Sequence, residues 1–410
     1  MKYAVWFVRL IFAAWMIPAG INHFVTLFPQ PLGSQPLSQE LFLALFDSHL
    51  FDLVKAVELV AGIGVLFGWY VPLSLVICMP VSFCVWYWDT PLEGWGSRAS
   101  TFGTAVLVTN VLLCLAYFGS YRSMFAWTAK PRALGASGDA GAGKSLVLAG
   151  RLLFGAWMLL NGVNYFFVSM YALPSGHTPL AIQLMNGLEH SQLLAVVMGI
   201  ELVTGALILA GVFVPAALCV VMPLSVCAAF WALLDHQPFA LLLGIGAVAL
   251  NGLLMLAYLD YYRGVLQRHA LAVGEELARD FDTLFVRYAG RTGRGEFVGA
   301  LVTLLAALAF YYFLVPGRNS QWVQLTLLFP AIVLLARRLH DMGRSAWPLV
   351  VPVGLIVATA WLYLYVPGAQ VKGTVALAAQ IVSAAFIVWG LVGKGKGEGD
   401  RFGQPAAQAL

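Results

Sequence analysis

One stretch of this chain occurs twice. Residues Arg9–Phe24, RLIFAAWMIPAGINHF, return 142 positions later as RLLFGAWMLLNGVNYF, Arg151–Phe166, with nine of the sixteen positions identical. Two apolar helices agree by chance at about one position in ten on average residue usage, so the match is a duplication. It runs on. At offset 143, Glu58-Leu59-Val60 with Gly62 returns as Glu201-Leu202-Val203 with Gly205. The same register pairs Pro72 with Pro215, Met79-Pro80 with Met222-Pro223, Ser82 with Ser225, Cys84 with Cys227 and Trp88 with Trp231. At offset 141, Asn110–Arg122 returns as Asn251–Arg263.

Composition says where such repeats live. Hydrophobic residues make up 61% of the 410 and charged residues 10%, against about 25% charged in soluble domains. Apolar runs of about 20 residues bounded by charge, Gly or Pro read as transmembrane helices. Twelve are placed, at 3–27, 50–69, 71–88, 102–119, 146–170, 191–211, 213–234, 238–258, 297–315, 322–339, 347–366 and 374–392. Of the 23 Lys and Arg, seventeen fall on one side, three (Arg98, Arg318, Lys372) on the other, and three (Arg9, Lys55, Arg151) within spans. The excess side is cytoplasmic, which puts both termini there. The first run lacks a small-residue cleavage site, so no cleavable signal peptide is expected. The expected partner is the lipid bilayer, with no role for nucleic acid. All five cysteines lie in apolar runs and read as buried structural thiols.

The fold expected is all-α and membrane-embedded. Residues 1–122 form one four-helix unit, 123–145 a linker and 146–263 a second unit. An even number of spans makes the two units parallel repeats about an axis along the membrane normal. Residues 264–296 mix acids, arginines and apolar positions at Leu266, Leu271, Leu277, Phe281, Leu284 and Phe285, a pattern that predicts an amphipathic helix at the cytoplasmic interface. A third, unrelated four-helix module occupies 297–410.

Arg9, then Glu58-Leu-Val-Ala-Gly62 and a Gly68…Pro72 turn, followed in the second copy by Arg151, Glu201, Gly205, Gly211 and Pro215, resemble the DoxX-like family of four-helix membrane proteins. His23 of the first copy is Tyr165 in the second. The resemblance implies a bacterial inner-membrane protein and a small accessory subunit tied to a quinone-linked redox or envelope-stress system, more than a stand-alone enzyme. The third module resembles a bacterial membrane domain known as domain of unknown function 805, through GRTGRGEF (Gly290–Phe297), RRLHDMGRSAW (Arg337–Trp347) and GDRFG (Gly399–Gly403). That family implies no activity.

Glu58 and Glu201 are the sharpest candidates for chemistry. Each lies about eight residues, on the order of 12 Å, into a span, and an intramembrane carboxylate is a functional site by default. It serves either as a protonatable group on a proton or quinone path or as a structural acid bonded to a polar neighbour, with Asn110 and Asn251 at similar depth. Arg9 and Arg151 either snorkel to the interface or pair with the glutamate of their own unit. Arg337, Arg338, His340, Asp341 and Arg344, joined by Arg291 and Arg294, either hold an anionic lipid headgroup or anchor a helix end.

His23, His49, His177, His190 and His236 cluster at the outer ends near Asp47, Glu189 and Asp235 without metal-ligand spacing, so no metal is expected. The string GDAGAGKS, Gly138–Ser145, has phosphate-loop spacing but lacks the strand that would aim it. Three functions remain open: a quinone-linked membrane subunit, a carrier or binder of a small molecule or lipid between the repeats, and a scaffold for a membrane protein partner.

Overall fold

The computed structural model describes residues 1–132, 140–275, 280–314, 320–366, 370–396 and 402. Among them are sixteen α-helices and, beyond one isolated bridge between Thr128 and Val212, no strand. The first copy holds α1 (Lys2–Phe24), α2 (Pro36–Asp47), α3 (Leu50–Phe67), α4 (Val71–Tyr87), α5 (Arg98–Ala116) and the single turn α6 (Phe118–Tyr121). The second holds α7 (Ala140–Phe166), α8 (Pro179–His190), α9 (Leu193–Ala210), α10 (Val214–Asp235) and α11 (Pro238–Ala257). Then come α12 (Asp280–Phe285), α13 (Arg294–Leu314), α14 (Ser320–Asp341), α15 (Val350–Tyr365) and α16 (Gln370–Val392).

Among the described residues ten helices are long and apolar enough to cross a membrane. Two expected spans fall outside that set for different reasons. α3 carries Asp52, Lys55 and Glu58 within 18 residues, and α15 has only 16. Two helices not foreseen at all, α2 and α8, have 12 residues each. They start at Pro36 and Pro179, where a residue without an N–H opens a helix at no cost.

By proximity the chain forms two compact units: Met16–Val65 with Trp69–Ala272, and Met1–Trp15 with Leu66–Gly68 and Val273–Leu410. The first unit carries most of the duplication, and the repeated residues make repeated bonds. Trp88 Nε1 donates to the Ser38 carbonyl at 2.9 Å, and Trp231 Nε1 to that of Ala181 at 3.0 Å. The Tyr121 hydroxyl donates to the Pro72 carbonyl at 2.9 Å, and that of Tyr262 to Pro215 at 2.7 Å. Asn110 donates to Ser82 at 2.9 Å, and Asn251 faces Ser225 at 3.4 Å. Asn22 and Asn164 each fold back the chain that leaves their helix, accepting from Phe28 N at 2.7 Å and Tyr171 N at 2.9 Å.

Even left-handed backbone recurs, at His49 and Gln192 and again at Tyr70 and Phe213. Inside a bilayer, helices associate through close packing rather than release of water. A Cβ on Gly20 or Gly162 would lie 2.7 or 2.5 Å from the Cβ of Leu59 or Leu202, so both copies need glycine where these helices cross.

The copies meet through equivalent surfaces. α2 packs on α8, where Ala44 and Gly187, identical positions in the two copies, approach so closely that a Cβ on Gly187 would lie 2.7 Å from that of Ala44. At the other end the tails exchange. Phe213 N donates to the Trp127 carbonyl, and Tyr70 N to that of Arg268, the same position one copy on. Reciprocal contacts of this kind define a local two-fold axis. Cys84 and Cys227 depart from the buried reading, since both are exposed.

In the other unit, Trp6 is fully buried against Tyr3, Phe281 and Phe285, and its indole donates to Glu275 at 2.8 Å. The Tyr311 hydroxyl donates to the Ile11 carbonyl. Of the amphipathic helix expected within 264–296, the described residues show Asp280–Phe285, whose Phe281, Leu284 and Phe285 are core rather than surface. The Phe281 and Phe285 rings pack edge-on against Trp6, with Leu284 buried in the same core. Leu266 and Leu271 are exposed, and Leu277 lies outside the described residues.

Candidate functional site

α3 opens at His49 in left-handed backbone, with Asp52 in its first turn, where the helix dipole favours a carboxylate. From there four ionisable side chains follow at intervals of three residues: His49, Asp52, Lys55 and Glu58. Their side-chain exposures are 76, 45, 12 and 3% in that order, so the series descends from solvent into the protein. His49 Nδ1 lies 3.1 Å from Asp52 Oδ2, and His23 Nε2 of α1 lies 2.6 Å from Asp52 Oδ1. Lys55 Nζ donates to Glu58 Oε2 at 2.8 Å. The span from His49 to Glu58 is about 14 Å of helix rise. Phe24, Phe46 and Phe51 surround the His23 ring, with centroids 5.1, 5.8 and 5.3 Å away. Lys55 Nζ sits 4.8 Å above the Phe51 ring.

The second copy keeps only the last of these residues. Gln192, Ala195 and Met198 stand at the positions of His49, Asp52 and Lys55, and Tyr165 at that of His23. Glu201 is held by neutral groups instead. Asn161 Nδ2 donates to Glu201 Oε2 at 2.9 Å, and the Tyr171 hydroxyl donates to Asn161 Oδ1 at 2.8 Å. The first-copy counterpart of Asn161 is Ala19. A buried carboxylate needs a partner. Each copy provides one, of a different charge type.

Neither expectation for Asn110 and Asn251 as partners of the glutamates holds, because both turn to serines, Ser82 and Ser225, in their own copies. Arg9 neither snorkels nor meets Glu58. It is buried, its guanidinium lies 3.8 Å over the Phe281 ring, and Nη2 is 3.3 Å from Asp282 Oδ1. Arg151 has no ion pair among the described residues, and its Nε is buried without a hydrogen bond.

The basic cluster of the third module is committed to its own backbone. Arg337 donates to the carbonyls of Arg287, Ala289 and Arg291 and to Thr292 Oγ1. Arg338 donates to the carbonyls of Gly390 and Gly393 and to Asp341, and Arg291 to those of Asp341 and Lys396. His340 lies 3.2 Å from the Gly290 carbonyl and stacks on Phe402. These donors tie 287–292, the end of α14 and the end of α16 together. Arg294 and Arg344 are the exposed members of the set. Most of GDRFG lies outside the described residues.

The other histidines form isolated pairs: His177 with Asp235 at 3.0 Å and His190 with Glu40 at 2.7 Å. Asp47 accepts from Gln183 at 2.8 Å. His236 is exposed in left-handed backbone, and Glu189 contributes its backbone carbonyl to Gln192. Among the described residues no three His, Cys, Asp or Glu lie together as metal ligands. Lys144 and Ser145 of the phosphate-loop-like string are part of helix α7, while residues 138–139 lie outside the described residues.

Set beside known proteins, the chain matches no family model, no curated protein and no solved structure.

Proposed function

We propose that this protein is a multi-pass accessory subunit of a quinone-linked redox system in a bacterial inner membrane, and that its first copy carries the proton-handling site. The observation that supports this reading is the descending series of His49, just before α3, and Asp52, Lys55 and Glu58 within it. Three ionisable groups in one helix of a membrane-embedded unit are costly, and the duplicate removes all of the series but the glutamate without loss of the fold. The resemblance of both copies to DoxX-like proteins, and of 297–410 to domain of unknown function 805, supplies the quinone and the expectation of twelve spans with both termini cytoplasmic.

Such a guest would lie against the exposed Phe24 and Phe46 rings, which with Phe51 pack around His23, whose Nε2 lies against Asp52. When bound, a quinone supplies a two-electron, two-proton acceptor, with electrons delivered by a partner subunit. The chain's own part is to move protons. His49 takes one from water and Asp52 passes it to His23. Three residues further along α3, about 4.5 Å of rise, Lys55 Nζ donates to Glu58 Oε2.

Gently solubilised protein should retain quinone, Glu201→Gln should keep it, and Glu58→Gln should lose it. Native protein without quinone, whose melting temperature ignores an added short-chain benzoquinone, would sink the reading.

A carrier reading draws support from a second observation. Ile77 and Cys84 on α4, and their equivalents Val220 and Cys227 on α10, are all exposed. A cleft along the two-fold axis would present these four side chains to a small guest. A short bifunctional thiol reagent should link Cys84 to Cys227, and bound cargo should protect them.

A further inference from the structure

The duplication contains its own control for Arg151. In each copy the arginine reaches the left-handed glycine that ends the glutamate-bearing helix. A Cβ on Gly68 would lie 2.7 Å from Arg9 Nη2, and one on Gly211 would lie 3.3 Å from Arg151 Nη1. Around Arg9 this position is complete: Asp282 supplies the anion, Phe281 the stacking ring, and the flanking Trp6, Leu10 and Ile11 are buried. Around Arg151 nothing equivalent exists among the described residues. Its Nε is buried without a partner, and the counterparts of those three residues, Leu148, Leu152 and Leu153, are all exposed.

The level of the site decides what fills it. Gly211 is where α9 stops and the chain turns back. The tail residue Trp127, exposed and bonded through its carbonyl to Phe213 N two residues on, marks the same level. Exposed tryptophan at helix ends belongs to the headgroup layer. The anions held in register with that layer are lipid phosphates, whose geometry suits a guanidinium fork. We propose that Arg151 binds the phosphate of an anionic phospholipid, with its acyl chains along Leu148, Leu152 and Leu153. Asp282 of this chain does for Arg9 what the lipid does for Arg151.

The test uses the full chain in mild detergent, titrated with phosphatidylglycerol and followed by native mass spectrometry. Wild-type protein should bind one lipid at a site that Arg151→Gln weakens about fivefold or more. Arg151→Lys, which keeps the charge without the fork, should fall between them and guards against a glutamine variant that fails to fold. Inorganic phosphate at millimolar concentration should not displace the lipid. Equal lipid affinity in wild type and both variants would overturn the proposal, and displacement by inorganic phosphate would replace the lipid with a free phosphate ion.

Discussion

The two copies of the duplicated unit agree almost everywhere that a bond is structural and differ where a charge is buried. Trp88 and Trp231, and Tyr121 and Tyr262, make the same hydrogen bonds to the same positions, and Asn22 and Asn164 both accept from the chain that leaves their helix. Glu58 and Glu201 are also the same residue at the same place, yet one is held by a lysine and the other by an asparagine. Arg9 and Arg151 repeat this, one paired with Asp282 and the other unpaired among the described residues. Retention of a residue with its partner marks scaffold. Retention with a changed partner marks a position put to separate use.

Substitution can break that distinction. The largest effect is expected for Arg9→Leu, which removes the guanidinium from the buried Asp282 and should cost about 3–5 kcal/mol. Arg151→Leu should cost far less, and equal losses in thermal unfolding would erase the contrast. Next comes Lys55→Met, which installs the second copy's residue beside Glu58. Lys55 is slightly more accessible, so the loss should fall near about 3 kcal/mol, the low end of the same range. Adding Ala19→Asn supplies the second copy's partner and should recover part of it. A double variant no more stable than the single one would mean that the two arrangements are not interchangeable.

The scaffold side predicts equality. Trp88→Phe and Trp231→Phe each remove one indole hydrogen bond and should each cost about 1 kcal/mol, with unequal values in the melts counting against a shared structural role.

The smallest effect concerns Glu93, whose position in the second copy is His236. Burial works against its charge, but hydrogen bonds from the Ser34 and Ser38 hydroxyls and the Ser34 and Gln35 amides outweigh it and hold its carboxyl below 4.5. A folded value below the unfolded one gives stability that is present above about pH 4.5 and lost as pH falls through the folded value. Hydrogen exchange at residues 33–38 should therefore speed up as pH falls below the ordinary glutamate range, after correction for intrinsic rates, while 176–181 in the second copy stays steady.

Much of this was legible in the sequence. The repeat, the apolar spans and the paired glutamates follow from spacing alone. α2 and α8 escaped because twelve mixed residues fall below span length, though Pro36 and Pro179 with the Leu41 and Leu184 faces were a usable helix signal. Lys55 could have been found as well, since a lysine three residues before a glutamate in a helix is within reach of it. Asp282 could not. It lies 273 positions from Arg9, in a segment whose apolar pattern suggested a surface. The arginines of RRLHDMGR were readable as a cluster, but their acceptors are backbone carbonyls, which no residue letter announces.

The exchanged tails carry one more consequence. Each half presents a carbonyl, at Trp127 or Arg268, that accepts a hydrogen bond from an amide of the other half, at Phe213 or Tyr70. Halves interlocked in this way resemble a dimer, but identical subunits would show every amino-acid change twice. Joined in one polypeptide they stay interlocked while mutating independently, so a single chain can carry one charged series and one neutral relay side by side.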